Sequence, residues 1–318
     1  MKKLMMMAAL AIAGGVCFGE NDDAVAGKVE MPERGICAHR GDRADYPENT
    51  VAAIKAAIEK GAAMIEFDVG EYGLPPGGWE RARVAILGDS ITDPAQTNSQ
   101  RVYWQYLAKW FDWDARVYGI SGHRWLHIPG QTDRAIAEMG DDVDAFLIFV
   151  GTNDYAAGDP LGEWFTEEEG EVNWWGTMRN LKHRKLSKDE KTLRGRINIA
   201  LEKIRKRYPD SQIVILTPTK RSIFTWNHQA DEDWTNTSGL HLVDYVKVIR
   251  EGAELWGCPV VDLHAEAPLV PRLADEYAKL YRSKDADLLH PNTEGHRRLA
   301  TVIYKRLQSI PGTFRKHR

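Results

Sequence analysis

From Arg83 onward the chain alternates short, mostly apolar runs with longer stretches that repeat apolar residues at helical intervals. Val84 to Leu87, Ala115 to Ile120, Asp144 to Val150, Ile213 to Leu216 and Pro259 to Leu263 make up the first class. Such runs predict parallel strands buried on both faces. Gln100 to Phe111, Thr132 to Met139, Thr192 to Tyr208, Leu240 to Trp256 and Gly295 to Leu307 make up the second and predict helices. The alternation implies an α/β fold with a parallel five-stranded sheet between two helical layers. A charged, tryptophan-rich insertion from Tyr155 to about Glu190 interrupts it.

Ahead of this region, residues 30–70 carry a separate strand, helix and strand. Gly35 to Gly41 predicts a strand ending in a polar loop, Pro47-Glu48-Asn49-Thr50 starts a helix that runs to Lys60, and Met64 to Val69 predicts a second strand. Period-two alternation puts Glu66 and Asp68 on one face of it, beside a His39-Arg40 pair. That donor set suits a hard divalent cation and a phosphate. The Gly- and Pro-rich residues 71–82 predict a linker, with the larger domain spanning 83–311.

Composition narrows the classes of function. The 318 residues are 43% hydrophobic and 28% charged, with a formal net charge of -4, which gives no electrostatic case for nucleic acid or an anionic membrane as partner. Met1-Lys2-Lys3 followed by the apolar stretch Leu4 to Val16 reads as a secretory signal peptide within residues 1–26, too short for a comfortable membrane span. The expected location is therefore periplasmic or secreted, with no span after the signal is removed; an uncleaved anchor and lipidation at Cys17 stay open. Cys37 and Cys258 sit in apolar contexts and are expected to be small buried side chains rather than a disulfide.

In a parallel sheet every strand's C-terminal tip lies on one edge, so loops far apart in sequence converge there. Gly88-Asp89-Ser90 follows the first strand, Ser121-Gly122 the second and Gly151-Thr152-Asn153-Asp154 the third, while Asp287-Leu288-Leu289-His290 lies in the predicted loop before the last helix. A serine hydroxyl needs a base held by a carboxylate to act as a nucleophile. Ser90, His290 and Asp287 are the candidates. The backbone N–H groups of Ser90 and Gly122 and the amide of Asn153 are candidate oxyanion donors, although Gly119 competes with Gly122 for a positive-φ role. Asp89, Trp174, Trp175 and Trp226 are candidate substrate contacts, the tryptophans as a lid or sugar-stacking wall. His296 is expected at the exposed start of the last helix.

Two family resemblances follow from these motifs. Gly88-Asp89-Ser90-Ile91, Gly122, Gly151-Thr152-Asn153-Asp154 and Asp287-Leu288-Leu289-His290 occur in the order of the four blocks of the SGNH, or GDSL, hydrolases. That resemblance implies a flavodoxin-like fold, Ser90 as nucleophile, Asp287 and His290 as its relay, Ser90, Gly122 and Asn153 as the oxyanion hole, and neither cofactor nor metal. It also implies a small-molecule or glycan ester as substrate, most simply a short acyl group on carbohydrate. His39-Arg40-Gly41, Pro47-Glu48-Asn49-Thr50 and Ile65-Glu66-Phe67-Asp68-Val69 resemble the opening segment of glycerophosphodiester phosphodiesterases, implying a catalytic role for His39 and metal binding by Glu66 and Asp68. A barrel of that family needs about 200 residues or more, so residues 30–70 are expected to be a truncated remnant. Phosphodiesterase activity and a non-catalytic carbohydrate-binding role are the rival readings.

Overall fold

The computed structural model describes residues 35–48, 50–66, 78–96, 99–271, 275–312 and 314. The predicted leader, Asp68 and most of the predicted linker lie outside the described residues. The chain divides into two compact units, Met1–Pro75 and Pro76–Arg318.

In the first unit, β1 (Cys37–His39) pairs in parallel with β2 (Met64–Glu66), connected through α1 (Val51–Glu59). Thr50 caps the helix by accepting from the Ala53 N–H at 3.1 Å. The helix buries only Ala53, Ala56 and Ala57. Ile36 and Val51 stay 71% and 67% exposed, so the described residues of this unit bury little apolar area among themselves. Cys37 is also exposed, contrary to expectation, since none of the described residues of this unit covers that side of its two-stranded sheet.

The second unit begins with β3 (Arg83–Gly88), α2 (Tyr103–Phe111), β4 (Asp114–Val117), α3 (Ile128–Met139), β5 (Ala145–Phe149) and α4 (Thr152–Ala156). It continues with β6 (Phe165–Trp174), β7 (Thr177–Leu186), α5 (Leu193–Arg207), β8 (Gln212–Leu216), α6 (Leu242–Leu255) and β9 (Val260–Val261). Last come α7 (Leu263–Glu266), α8 (Asp275–Ala278), β10 (Tyr281–Ser283), β11 (Asp287–Pro291) and α9 (Thr293–Ser309). The main sheet is all parallel in the order β4-β3-β5-β8-β9. Numbered along the sheet's own strands this is 2-1-3-4-5, the flavodoxin-like order, in which the crossover direction reverses between β3 and β5.

The apolar runs are explained by the layers. Ala85 and Leu87 join the cluster that includes Ile128, Phe146, Ile148, Ile197, Leu201 and Ile249. Val84 and Ile86, equally buried, must point to the opposite face. There α2 and α9 pack on one another, with the rings of Phe111 and Tyr304 at 4.5 Å.

Three boundaries differ from the sequence reading. Trp79, assigned to the linker, is fully buried; its indole N–H donates to the Ile310 carbonyl at 2.8 Å, and its ring meets Phe314 at 5.3 Å. The folded unit therefore includes the last linker residues and reaches past residue 311. Much of the insertion is the β6–β7 hairpin, ten paired positions with almost every side chain exposed. Because both faces meet water, neither strand shows the alternation that marks a half-buried strand. Finally, Asp287 to Pro291 is not a loop but β11, antiparallel to β10.

Candidate active site

The crossover point between β3 and β5 opens a crevice at their C-terminal ends, where open α/β sheets bind ligands. Gly88 ends β3 because nothing larger fits: a Cβ there would stand 2.3 Å from the Thr92 hydroxyl oxygen and 2.8 Å from the Phe149 carbonyl oxygen. Gln131 holds both backbone groups of Gly88, accepting from its N–H and donating to its carbonyl at 2.8 Å each. The turn that follows is thereby fixed.

Ser90 stands on that turn. Its Oγ is 2.8 Å from Nε2 of His290, whose Nδ1 lies 2.9 and 3.0 Å from the two carboxylate oxygens of Asp287. Asp287 is fully buried, His290 6% exposed and Ser90 8% exposed. The Asp287 carboxylate also accepts from the backbone N–H of Leu289 and His290 at 3.1 and 2.9 Å. Burial alone would raise its pKa, but the His290 ring and the two N–H donors outweigh that, and the carboxyl sits below its ordinary value. An ionised Asp287 favours the tautomer with the proton on Nδ1, leaving Nε2 to accept from Ser90.

Gly122 adopts φ +80°, while Gly119 does not have a positive φ; its constraint is contact, since a Cβ there would lie 2.7 Å from a Thr92 methyl carbon. The Asn153 amide donates to the His123 carbonyl at 3.0 Å, leaving its second hydrogen for a ligand. Among the described residues, the N–H groups of Ser90 and Gly122 donate to no protein acceptor.

Buried carboxylates hold these loops. Asp93 accepts from the Ser121 N–H at 2.8 Å and its hydroxyl at 2.6 Å, tying the serine turn to the Gly122 loop. Asp154 accepts from the Trp125 N–H at 3.2 Å, tying the Asn153 turn to the same loop, and is pushed up to about 8 by burial. Asp89 is 1% exposed, caps the Ile91 N–H at 3.0 Å and is pushed up to about 7, again by burial. Its carboxyl is thus part of the turn's interior rather than a surface for substrate.

The aromatic candidates separate. Phe224 packs edge-on to His290 with centroids 5.0 Å apart, and Trp226, 63% exposed, packs on Phe224 at 6.0 Å. Trp174 and Trp175 lie at the outer end of the hairpin, 54% and 93% exposed. His296 is 1% exposed, not at a solvated helix start; its Nδ1 accepts from the Tyr103 N–H at 3.4 Å and burial lowers its pKa to about 3.

Sequence reasoning missed Arg221. It is fully buried, donates to the Thr152 hydroxyl at 3.3 Å and to the Gln229 side chain at 2.6 Å, and its backbone N–H donates to Glu232 at 3.1 Å. Nothing in Thr219-Lys220-Arg221-Ser222 marks one cation of that polar stretch as internal.

In the first unit, β1 and β2 place His39 opposite Glu66 in backbone register. His39 is exposed, with Nδ1 3.3 Å from an Arg43 guanidinium nitrogen, and Arg40 pairs with Glu48 at 3.0 Å. Among the described residues no group of three or more His, Cys, Asp or Glu side chains is arranged to hold a metal ion.

Comparison with known proteins agrees with this division. The GDSL-like lipase/acylhydrolase family model matches residues 86–298, and the glycerophosphoryl diester phosphodiesterase family model matches residues 39–70. The short segment is 59% identical over 34 residues to a glycerophosphodiester phosphodiesterase of Caldanaerobacter subterraneus subsp. tengcongensis, of which the chain spans 14%. A solved structure of a Lactobacillus plantarum protein superposes with TM-score 0.55 at 24% identity, covering 72% of this chain and 98% of that one. A possible lipase from Chitinophaga pinensis gives TM-score 0.54 at 19% identity, covering 72% and 99%. With the match spanning most of the sheet unit, the chain belongs to the GDSL-like lipase/acylhydrolase family and is a serine hydrolase.

Proposed function

We propose that the protein is an exported esterase that removes short acyl groups, most simply acetyl, from carbohydrate through Ser90, His290 and Asp287. The observation that carries the catalytic part is the unbroken chain of contacts, 2.8 Å from Ser90 Oγ to Nε2 and 2.9 Å from Nδ1 to the buried carboxylate. His290 takes the Ser90 proton as Oγ attacks the ester carbonyl carbon. The carbonyl oxygen becomes an oxyanion, which the N–H groups of Ser90 and Gly122 and the Asn153 amide receive. His290 then passes its proton to the departing alkoxide, leaving an acyl-serine. Water, deprotonated by the same imidazole, releases the acid and restores Ser90.

The short-acyl, sugar-borne substrate is supported by the exposed indole of Trp226, which packs on Phe224 beside His290. Export rests on the charged and apolar start of the sequence, and N-terminal sequencing of protein recovered from outside the cytoplasm tests it. The catalytic reading is tested with p-nitrophenyl acetate. Ser90→Ala should remove turnover while the circular dichroism spectrum stays that of the parent, and turnover retained in a folded variant overturns it. Glycan binding without ester cleavage by the parent protein would instead favour the carbohydrate-binding reading.

A further inference from the structure

Beside the strip that carries Phe224 lies a cavity of about 430 Å3, lined among others by Tyr155, Arg221, His228, Gln229 and Trp234. The volume falls within the roughly 300–1,000 Å3 usual for small-ligand sites. Its walls come from α4, which carries Asn153, and from the segment that follows Phe224. Phe224 and Gln229 exchange two backbone hydrogen bonds at 3.0 Å, so the strip whose one side chain packs on His290 has another lining the cavity. Tyr155 stands two residues after Asn153 on α4, and Arg221 reaches from the cavity floor to Thr152 in the same turn.

Direction follows from the proton transfer. The leaving alkoxide collects its proton from His290, so the alcohol half of the ester departs on the side of the imidazole, where Phe224 stands.

The lining chemistry decides what kind of alcohol fits. Trp234 is 67% exposed and offers an indole face. Around it stand amides and hydroxyls from Asn227, Gln229, Thr235 and Thr237, and the aliphatic part is confined to Ala156 and Ala230. An alkyl chain would desolvate these polar groups without satisfying them; a sugar ring offers an apolar face for the indole and hydroxyls for the amides. Among the described residues no carboxylate lines the cavity itself, and the Arg221 guanidinium, whose Nη groups bond Thr152 and Gln229, already feels the nearby carboxylates of Glu232, Asp287 and Asp231. Arg221 thus serves as a fixed floor, with its Nε buried and lacking a partner.

We propose that this cavity is the leaving-group subsite for a neutral sugar ring, with Trp234 as its stacking platform and His228 and Gln229 as hydroxyl partners. The assignment rests on the serine esterase reading and makes the protein selective for acyl groups carried on glycosides over those on alkyl alcohols.

The test compares kcat/KM of the full chain on a per-acetylated methyl hexopyranoside, on octyl acetate and on p-nitrophenyl acetate. For Trp234→Ala the ratio of glycoside ester to p-nitrophenyl ester should fall at least tenfold, mainly through KM, and Trp234→Phe should restore most of it. Deacetylated methyl hexopyranoside should inhibit the parent competitively and the alanine variant much less. His228→Ala, an exposed rim position, should lower the same ratio a few-fold and covers the case in which Trp234→Ala fails to fold. An unchanged ratio in both variants, an equal fall for octyl acetate, or preference for an acetylated uronate would overturn the subsite. Failure of Ser90→Ala to remove p-nitrophenyl acetate hydrolysis would overturn the esterase reading instead.

Discussion

His39 and His290 both sit at the end of a short strand beside carboxylate residues, and both belong to motifs that stand out in the sequence. Their surroundings differ. His290 is 6% exposed, its ring held by a fully buried carboxylate and flanked by Phe224. His39 is exposed on a two-stranded sheet whose helix buries three alanines. Low-dielectric surroundings make electrostatic contacts strong and positions definite, and among the described residues it is the second unit whose layers create them. A motif becomes a site when the rest of the chain encloses it.

The largest test of this contrast is Asp287→Asn. It preserves shape but favours the wrong tautomer of His290, and kcat on p-nitrophenyl acetate should fall about 10^4-fold; a loss under tenfold would mean that enclosure of the imidazole matters little. Asn153→Ala, removing one of the three proposed oxyanion donors, should cost about 10^2- to 10^3-fold in kcat, with KM little changed.

Enclosure should also be visible in stability. Asp89 titrates from 3.8 when unfolded to about 7 when folded, because burial disfavours its charge. The folded state then binds the extra proton, so stability declines as pH rises from about 4 to about 7, by at most about 1.4 kcal/mol per pH unit from this group. Asp154, pushed up to about 8, acts with the same sign. Urea midpoints at pH 5 and pH 7.5 should differ less in Asp89→Asn than in the parent; an equal difference would show that Asp89 is ionised in the fold.

The smallest effect is expected in the first unit. His39→Ala and Glu66→Ala should each leave ester hydrolysis within twofold of the parent, and no divalent cation should elicit glycerophosphodiester cleavage from the full chain. Cation-dependent cleavage lost in Glu66→Ala would reverse the contrast.

The buried parallel strands were legible because a strand covered on both faces has no choice but to be apolar along its length, and Val84 to Leu87 and Ala145 to Phe149 are so. The first three blocks were legible because a parallel sheet must bring its strand ends together, and the fourth because Asp287 and His290 stand three residues apart, within reach of one another. What escaped is what depends on distant partners. Arg221 is internal only because Thr152 and Gln229 come to meet it, Trp79 is buried by residues more than 200 positions away in the chain, and His296 is covered by Tyr103. The hairpin escaped for the opposite reason, since strands wet on both faces carry no burial signature.

That hairpin is footed with care. The Ser187 N–H donates to the Trp164 carbonyl at 2.9 Å, and the Asn198 amide donates at 3.0 Å to the carbonyls of both Trp164 and Ser187. The two ends of the excursion are thus stitched side by side onto α5, whatever lies between them. Residues 165–186 therefore leave and re-enter the body at neighbouring points, so exchanging them for a tight turn between Trp164 and Ser187 should leave the thermal midpoint of the scaffold close to that of the parent.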